Sequence, residues 1–257
     1  AIEFAQHREY TTGDDLRHLD WKVLGRTDRY YIKQYEQDTN FVAHLVLDGS
    51  ESMAYGSGQQ TKLDYAKVLA ACLAYIVLGQ SDAIALNIFD TEVRERFERT
   101  DNRGKIHEIM HRLATFEAGR CTNTAKVLHD LAATLRSRSI VILISDLFDD
   151  EESLQKSIER IRFQGTEVIV FHVLDPYEIE FPFTGTVKFV GLEGGPELET
   201  VPASIRKSYL QSFGDFCKRM RILCDRSSCH YVLCNTAVPL HETLSEYLAF
   251  RQNHRSR

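Results

Sequence analysis

The chain has 257 residues, 43% of them hydrophobic, so it is long enough for one large α/β domain with a full core. Its formal net charge of -6 argues against a general nucleic-acid binder, because affinity for phosphate backbones needs a basic face. The six cysteines fall mostly in apolar runs without a CxxC pair, which predicts buried thiols in a reducing compartment. We therefore expect a cytoplasmic location, with anchoring through a segment upstream of Ala1 left open.

Residues 1–40 are dense in charged and aromatic side chains and do not follow the pattern of the rest of the chain. We interpret them as an arm that packs on the following domain, because its Trp and Tyr rings need apolar surface to cover. Within Tyr30–Glu36, Tyr31, Lys33 and Tyr35 alternate with Ile32 and Gln34. This alternation predicts a strand that pairs with the edge of the main sheet.

From residue 41 onward, apolar runs alternate with helical patterns, which predicts a doubly wound, mainly parallel sheet with helices on both faces. The predicted strands are 41–47, 83–89, 139–145, 167–174 and 230–233, with 91–98 as an antiparallel edge strand. The predicted helices are 61–78, 103–114, 123–135, 151–163, 203–225 and 240–251. Thr61 and Asp64 resemble a capping box, and Thr122 is the expected N-cap of the third helix. A hairpin insertion is expected at about 182–202, so residues 41–257 form one domain.

Three polar clusters follow predicted strands or open predicted helices, at the sheet edge where α/β proteins bind ligands. They are Asp48-Gly49-Ser50-Glu51-Ser52, Cys121-Thr122-Asn123-Thr124 and Ser145-Asp146. On the first loop a carboxylate and two hydroxyls alternate, so they can point to a common centre, and we expect Gly49 to permit a sharp turn there. The other two loops approach from neighbouring elements.

The predicted metal ligands offer oxygen atoms only: Asp48, Ser50, Ser52, Thr122 and Asp146. Such a set suits Mg²⁺ or Mn²⁺, with Ca²⁺ less favoured because so few carboxylates are present. Thr124 is the rival for the threonine position. The competing interpretation is a polar loop that only caps the following helix.

This ligand pattern resembles the metal-ion-dependent adhesion site of von Willebrand factor A domains. The N-terminal region in turn resembles the signature of the bacterial family filed as domain of unknown function 58. The signature residues, which we interpret as a structural charge network, are Gly13, Asp14, Asp15, Arg17, Asp20, Trp21 and Arg26. The closing run from Pro239 to Leu248 is similar to the last helix of that family.

The resemblance implies a noncatalytic, metal-dependent protein-binding domain that works with a MoxR-type ATPase in assembly or in chaperone-like activation. The partner would supply a Glu or Asp carboxylate to the metal. A metal-assisted hydrolase is the alternative, but it needs a positioned general base, and His44 and His172 lie inside predicted strands. The sequence contains no GxSxG elbow, P-loop or GxGxxG fingerprint. A scaffold with a vestigial site is a third interpretation.

Overall fold

The structure is a computed structural model that describes residues 2–11, 19–27, 29–37, 41–119, 121–135, 139–191 and 197–255. The chain divides into two compact units, Ala1–Asn40 and Phe41–Arg257. The boundary lies between Asn40 and Phe41, where the charged and aromatic N-terminal sequence gives way to alternating strand and helix patterns. Docking of the first unit on the second stays a prediction.

The first unit is built on a two-stranded antiparallel sheet. Its elements are strand β1 (Ile2–Glu9), helix α1 (Trp21–Thr27) and strand β2 (Tyr31–Gln37). Strand β2 pairs with β1, with Glu9 opposite Tyr31, so the predicted pairing of this segment with the edge of the main sheet is wrong. Alternation along a strand shows that it has two different faces, but it carries no information about which backbone completes its hydrogen bonds.

The second unit contains a mostly parallel central sheet with helices. Its strands are β3 (Val42–Asp48), β4 (Ala83–Phe89), β5 (Val93–Thr100), β6 (Ser139–Ser145), β7 (Glu167–Leu174), β8 (Val187–Phe189), β9 (Leu198–Thr200) and β10 (His230–Asn235). Its helices are α2 (Lys62–Gly79), α3 (Ile106–Thr115), α4 (Thr124–Ala132), α5 (Glu151–Phe163), α6 (Pro176–Glu180), α7 (Pro202–Arg226) and α8 (Leu240–Arg255), with short 3₁₀ helices at Glu51–Ala54 and Arg103–Lys105.

Six strands form the central sheet in the order β10-β7-β6-β3-β4-β5. All neighbours are parallel except β5, which runs antiparallel to β4 at the edge, as predicted. Strands β8 and β9 form the predicted hairpin. The strands β4 and β6 are buried along their whole length, which explains why their sequences are mostly apolar and do not alternate; the polar exceptions are Asn87, Ser139 and Ser145.

Two separate apolar clusters hold the helices of this unit on the sheet. Alternate residues of one strand join different clusters: Leu45 and Leu47 belong to the cluster that includes α2 and α3, whereas Val46 belongs to the cluster that includes α4 and α5. Because successive side chains of a strand point to opposite faces, both faces of the sheet are covered. Among the described residues, no helix is both long enough and apolar enough to cross a bilayer.

The helix starts confirm one cap prediction and correct another. Thr61 is the N-cap of α2 and forms the expected capping box with Asp64. The N-cap of α4 is Asn123, whose side chain accepts from Lys126 N, so the assignment of Thr122 as the cap is wrong. Asn is at least as good a cap as Thr, and its use here leaves the Thr122 hydroxyl for other contacts.

Candidate functional site

The carboxyl ends of the neighbouring strands β3 and β6 bring the cluster at Asp48 and the cluster at Ser145-Asp146 together. Leu47 pairs with Ile144, so the residues that follow, Asp48 and Ser145, lie side by side. Ser145 Oγ donates a hydrogen bond of 2.6 Å to Asp48 Oδ2. Asp48, Ser145 and Asp146 are all fully buried, so the edge of the sheet holds two carboxylates away from bulk water.

The loop after β3 keeps its hydroxyl groups within the site. Ser50 N donates to Asp48 Oδ1 at 3.0 Å, and Ser50 Oγ lies 3.0 Å from Ser52 Oγ. Ser50 is the N-cap of the short 3₁₀ helix, but its side chain makes no capping hydrogen bond. The N-cap of α2 is Thr61, so the loop does not cap α2. The side chains of Asp48, Ser50 and Ser52 therefore remain for another role.

Close packing explains why residue 49 is glycine. We expected glycine there to permit a sharp turn through a left-handed backbone, and that reason is wrong. Its φ lies outside the positive range, unlike those of Gly165 and Gly185. A Cβ atom built there would lie 2.6 Å from Phe116 Cζ and 3.2 Å from Ile88 Cγ2, well inside normal contact distances. The loop therefore passes directly over the Phe116 ring.

Thr122 reaches the same centre from the loop that precedes α4. Its hydroxyl lies 3.4 Å from Asp48 Oδ2, to which it can donate, and 3.3 Å from Thr124 Oγ1. Thr124 is fully buried, whereas Thr122 is half-buried and so has the more accessible hydroxyl. Both threonines lie near the site, and the preference for Thr122 as the ligand stays a prediction.

Lys62 adds a buried positive charge that the sequence analysis did not identify. Its ammonium lies 2.8 Å from Asp146 Oδ2 and 2.7 Å from Glu178 Oε1, and the side chain is 1% exposed. Lys62 is the first residue of α2, where the helix dipole disfavours a cation. A lysine in that unfavourable position, directly after a capping threonine, is the sequence signal that could have indicated its role.

Burial and mutual repulsion dominate the electrostatics of the two aspartates. Burial and, to a smaller extent, the nearby Asp146 carboxylate raise the pKa of Asp48 to about 7, against the lowering effect of hydrogen bonds from Ser145 and Ser50. Burial alone would lower the pKa of Lys62, but the Asp146 and Glu178 carboxylates raise it overall. The ammonium therefore stays charged, and the site has an excess of negative charge.

His172 holds the backbone of Asp146 in place. Its Nε2 lies 2.9 Å from the Asp146 carbonyl oxygen and its Nδ1 lies 2.7 Å from the Tyr231 hydroxyl. Burial lowers the pKa of His172 to about 4, so the ring is neutral at pH 7. Because the carbonyl can only accept, Nε2 carries the proton and Nδ1 accepts from Tyr231. Both nitrogens are thus occupied by structural contacts.

The described residues contain no group of three or more His, Cys, Asp or Glu side chains arranged to hold a metal ion. The candidate site consists instead of two carboxylates and three hydroxyls. Asp149, Asp150, Glu151 and Glu152 lie at helix starts: Asp149 Oδ2 accepts from Ala125 N at 3.1 Å, in the first turn of α4. Asp150 caps α5 and the two glutamates lie in its first turn, as expected from the helix dipole.

Of the signature residues in the first unit, four lie outside the described residues: Gly13, Asp14, Asp15 and Arg17. Asp20 is buried and caps α1, because its Oδ1 accepts from Lys22 N at 2.9 Å and from Val23 N at 3.3 Å. Trp21 and Arg26 are exposed. The structure therefore describes only three of the signature residues, and the predicted charge network among all of them stays a prediction. Of these three, Asp20 has a structural role as the cap of α1.

The fold and the site define an α/β domain whose polar residues gather at the carboxyl edge of a mostly parallel sheet. Residues 6–215 match the family described as "Protein of unknown function DUF58", and the chain belongs to this family. Uncharacterized proteins from Mycobacterium tuberculosis and Mycobacterium bovis are 28% identical over 196 residues, or 75% of this chain. That match spans 61% of the length of these relatives.

Solved structures share the fold at low sequence identity. An aerotolerance-related membrane protein from Bacteroides fragilis is 16% identical with a TM-score of 0.57, and the match covers 84% of this chain and 100% of that one. BatB, a conserved hypothetical protein from Bacteroides thetaiotaomicron, is 14% identical with a TM-score of 0.55, covering 83% and 99%. The open form of the pilus adhesin SpaC from Lactobacillus rhamnosus is 10% identical with a TM-score of 0.51, covering 96% and 33%.

Proposed function

We propose that Asp48, Ser50, Ser52, Thr122 and Asp146 hold one divalent cation, Mg²⁺ or Mn²⁺, through which the domain binds an acidic side chain of a partner protein. The observation that carries this proposal is the pair of fully buried carboxylates, Asp48 and Asp146, beside three hydroxyl groups at one edge of the sheet.

The charges of the described residues fit a divalent cation. The Lys62 ammonium pairs with Asp146 and Glu178, and Asp48 lies beside Asp146, so three ionised carboxylates and one ammonium carry two formal negative charges. Buried charge without a partner is costly, and a bound dication balances it. Oxygen ligands are the ones that Mg²⁺ prefers, and two carboxylates are few for Ca²⁺.

Each residue has a distinct task in this proposal. Ser50, Ser52 and Thr122 offer neutral oxygen atoms directly to the cation. Asp48 and Asp146 supply negative charge, either as ligands or by accepting hydrogen bonds from coordinated water. The bound cation would supply a Lewis-acidic position for a carboxylate of the partner. Such an exchange of ligands is reversible and suits regulated assembly.

We extend the proposal to the finer fold class: a doubly wound, von Willebrand factor A-like domain with a metal-ion-dependent adhesion site. The strand order, the antiparallel edge strand and the two covered faces support this class. The likeness to a pilus adhesin is a further support at the level of fold. On the family resemblance, we propose a cytoplasmic adaptor whose partner is a MoxR-type ATPase.

The alternative, a metal-assisted hydrolase, has less support from the site. Hydrolysis needs a group that accepts a proton from water, but the neutral His172 uses both ring nitrogens in contacts with Asp146 and Tyr231. We therefore favour a noncatalytic binding role.

Metal binding is tested on the full chain by thermal unfolding with MgCl₂, MnCl₂ or CaCl₂. A cation that binds only the folded protein stabilises it by about 2.7 kcal/mol at 100 times its dissociation constant. Asp48→Asn should abolish this stabilisation while leaving the metal-free protein at least as stable as wild type, because it removes repulsion from Asp146. A folded wild-type protein that shows no calorimetric binding at millimolar metal would refute the metal site.

Partner binding is tested by capture from native lysate with and without chelator, and with Thr122→Ala. Thr134→Ala is a matched control, because this exposed threonine follows α4 and its hydroxyl donates only to Leu131 O. We expect capture to be lost in chelator and in Thr122→Ala, but kept in the control. Equal capture of the same partners under all these conditions would show that the cation does not mediate recognition.

A further inference from the structure

Lys62 places a fixed positive charge in the inner wall of the candidate metal site. Besides its contacts with Asp146 and Glu178, its Nζ lies 5.3 Å from the centre of the Phe148 ring and 6.0 Å from that of Tyr55. Carboxylates and aromatic rings thus enclose the ammonium. Because a buried charge that loses its partner is strongly destabilising, the lysine is held where it lies.

Glu178 is the second carboxylate that holds the lysine. Its Oε1 accepts from Lys62, and its Oε2 accepts from Asp175 N at 2.9 Å as part of the capping box of α6. Both oxygens of Glu178 are therefore in use. The position of the ammonium is tied to the start of a helix, which makes the contact with Asp146 a built part of the fold.

The consequence for Asp146 is that its two oxygen atoms are not equivalent. Oδ2 accepts the short hydrogen bond from Lys62, whereas Oδ1 accepts only a 3.3 Å hydrogen bond from Phe148 N. Oδ1 is therefore the oxygen that is more available to a cation. Bidentate coordination by Asp146 would also place the cation on Oδ2, close to the Lys62 ammonium, where the two positive charges repel each other.

We propose that Lys62 is a specificity-determining residue of this site, which restricts Asp146 to a single oxygen contact and so favours Mg²⁺ or Mn²⁺ over Ca²⁺. The physical reason is that Ca²⁺ takes six to eight oxygen ligands and often binds carboxylates through both oxygens, whereas Mg²⁺ takes six ligands in a compact octahedron. This inference rests on the proposed function, because it concerns the same cation.

The test compares the affinities of the full chain for Mg²⁺ and Ca²⁺, each titrated alone by calorimetry. Lys62→Met removes the charge at similar length. Because this change leaves the Asp146 and Glu178 carboxylates without a positively charged partner, the double variant Lys62→Met with Glu178→Gln is measured as well. In both variants we expect the ratio of Mg²⁺ to Ca²⁺ affinity to fall by at least about tenfold, mainly through tighter Ca²⁺ binding. Lys126→Met, at an exposed lysine near the start of α4, is the control and should keep the wild-type ratio.

The outcomes separate this inference from the proposed function. If wild type binds neither ion, both are wrong. If wild type binds Mg²⁺ and Asp48→Asn does not, but the folded lysine variants keep the wild-type ratio, the metal site stands and the role of Lys62 in selectivity is refuted. A parallel fall of both affinities in the lysine variants also refutes it, because a residue that only supports the loop would weaken both ions alike.

Discussion

Replacing Gly49 by alanine tests whether packing against Phe116 fixes the loop that carries Ser50 and Ser52. The added Cβ would lie 2.6 Å from Phe116 Cζ, closer by about 1 Å than a normal carbon contact, and 3.2 Å from Ile88 Cγ2. Phe116 and Ile88 are both buried in the core, so neither has free space to move into.

The backbone of Gly49 cannot shift easily either. Its N–H donates to Phe89 O at 2.7 Å, and its carbonyl accepts from Gly119 N at 2.7 Å. The strain must therefore be absorbed by the core. Overpacking of this kind costs typically 1–3 kcal/mol, and we expect Gly49→Ala to lie in the upper half of that range, at about 2–3 kcal/mol. For a unit of this size the melting temperature should fall by roughly 5–10 °C.

Urea unfolding measures this cost, with Gly58→Ala as the matched control. Gly58 lies beyond the same loop, and a Cβ there would meet nothing within 4 Å, so the control should stay within about 0.5 kcal/mol of wild type. Combining Gly49→Ala with Phe116→Leu should cost less than the sum of the two single changes, because the smaller side chain makes room for the new methyl group. A Gly49→Ala protein as stable as wild type would refute the packing argument.

Two further predictions concern local structure and pH. Thr61→Ala removes the capping box of α2 and should cost about 1 kcal/mol in urea unfolding, and an unchanged free energy of unfolding would contradict the role of this cap. Burial, assisted by Arg96 and Arg99, lowers the pKa of His44 from 6.5, so unfolded chains bind more protons than folded ones between the folded-state pKa and that value. The stability associated with His44 is thus full above pH 6.5 and is lost as the pH falls from that value through the lower pKa of the folded state. His44→Gln should flatten this loss, and equal pH dependence in the two proteins would contradict the assignment.

Most elements of the second unit could be predicted because their signals are local. Four elements have the predicted bounds: strands 83–89, 139–145 and 167–174 and helix 151–163. A strand that is buried on both faces is mostly apolar, and a helix that is buried on one face shows a helical period of apolar residues. The capping box at Thr61 is encoded within four residues. Helix α6 was missed because it has only five residues, too few to show a helical period.

The gathering of Asp48 and Asp146 at one edge could be inferred from the ends of parallel strands, because such strands must finish on the same side of the sheet. Thr122 could be added because it lies just before a helix that leads into the next strand. Local sequence did not reveal why Gly49 is glycine, since the Phe116 ring that excludes a side chain lies 67 positions away. Nor did it reveal the strand that pairs with β2.

The sequence by itself determined the alternation of strands and helices, the apolar residues that fill the core and the oxygen-bearing residues at the edge of the sheet. Only the tertiary structure decided that Lys62 lies between Asp146 and Glu178, which are 84 and 116 positions away along the chain. Periodicity and capping depend on neighbours within a few residues, so they can be read from a short segment. A buried ion pair depends on how distant elements pack, because only packing fixes which charges share a region without water.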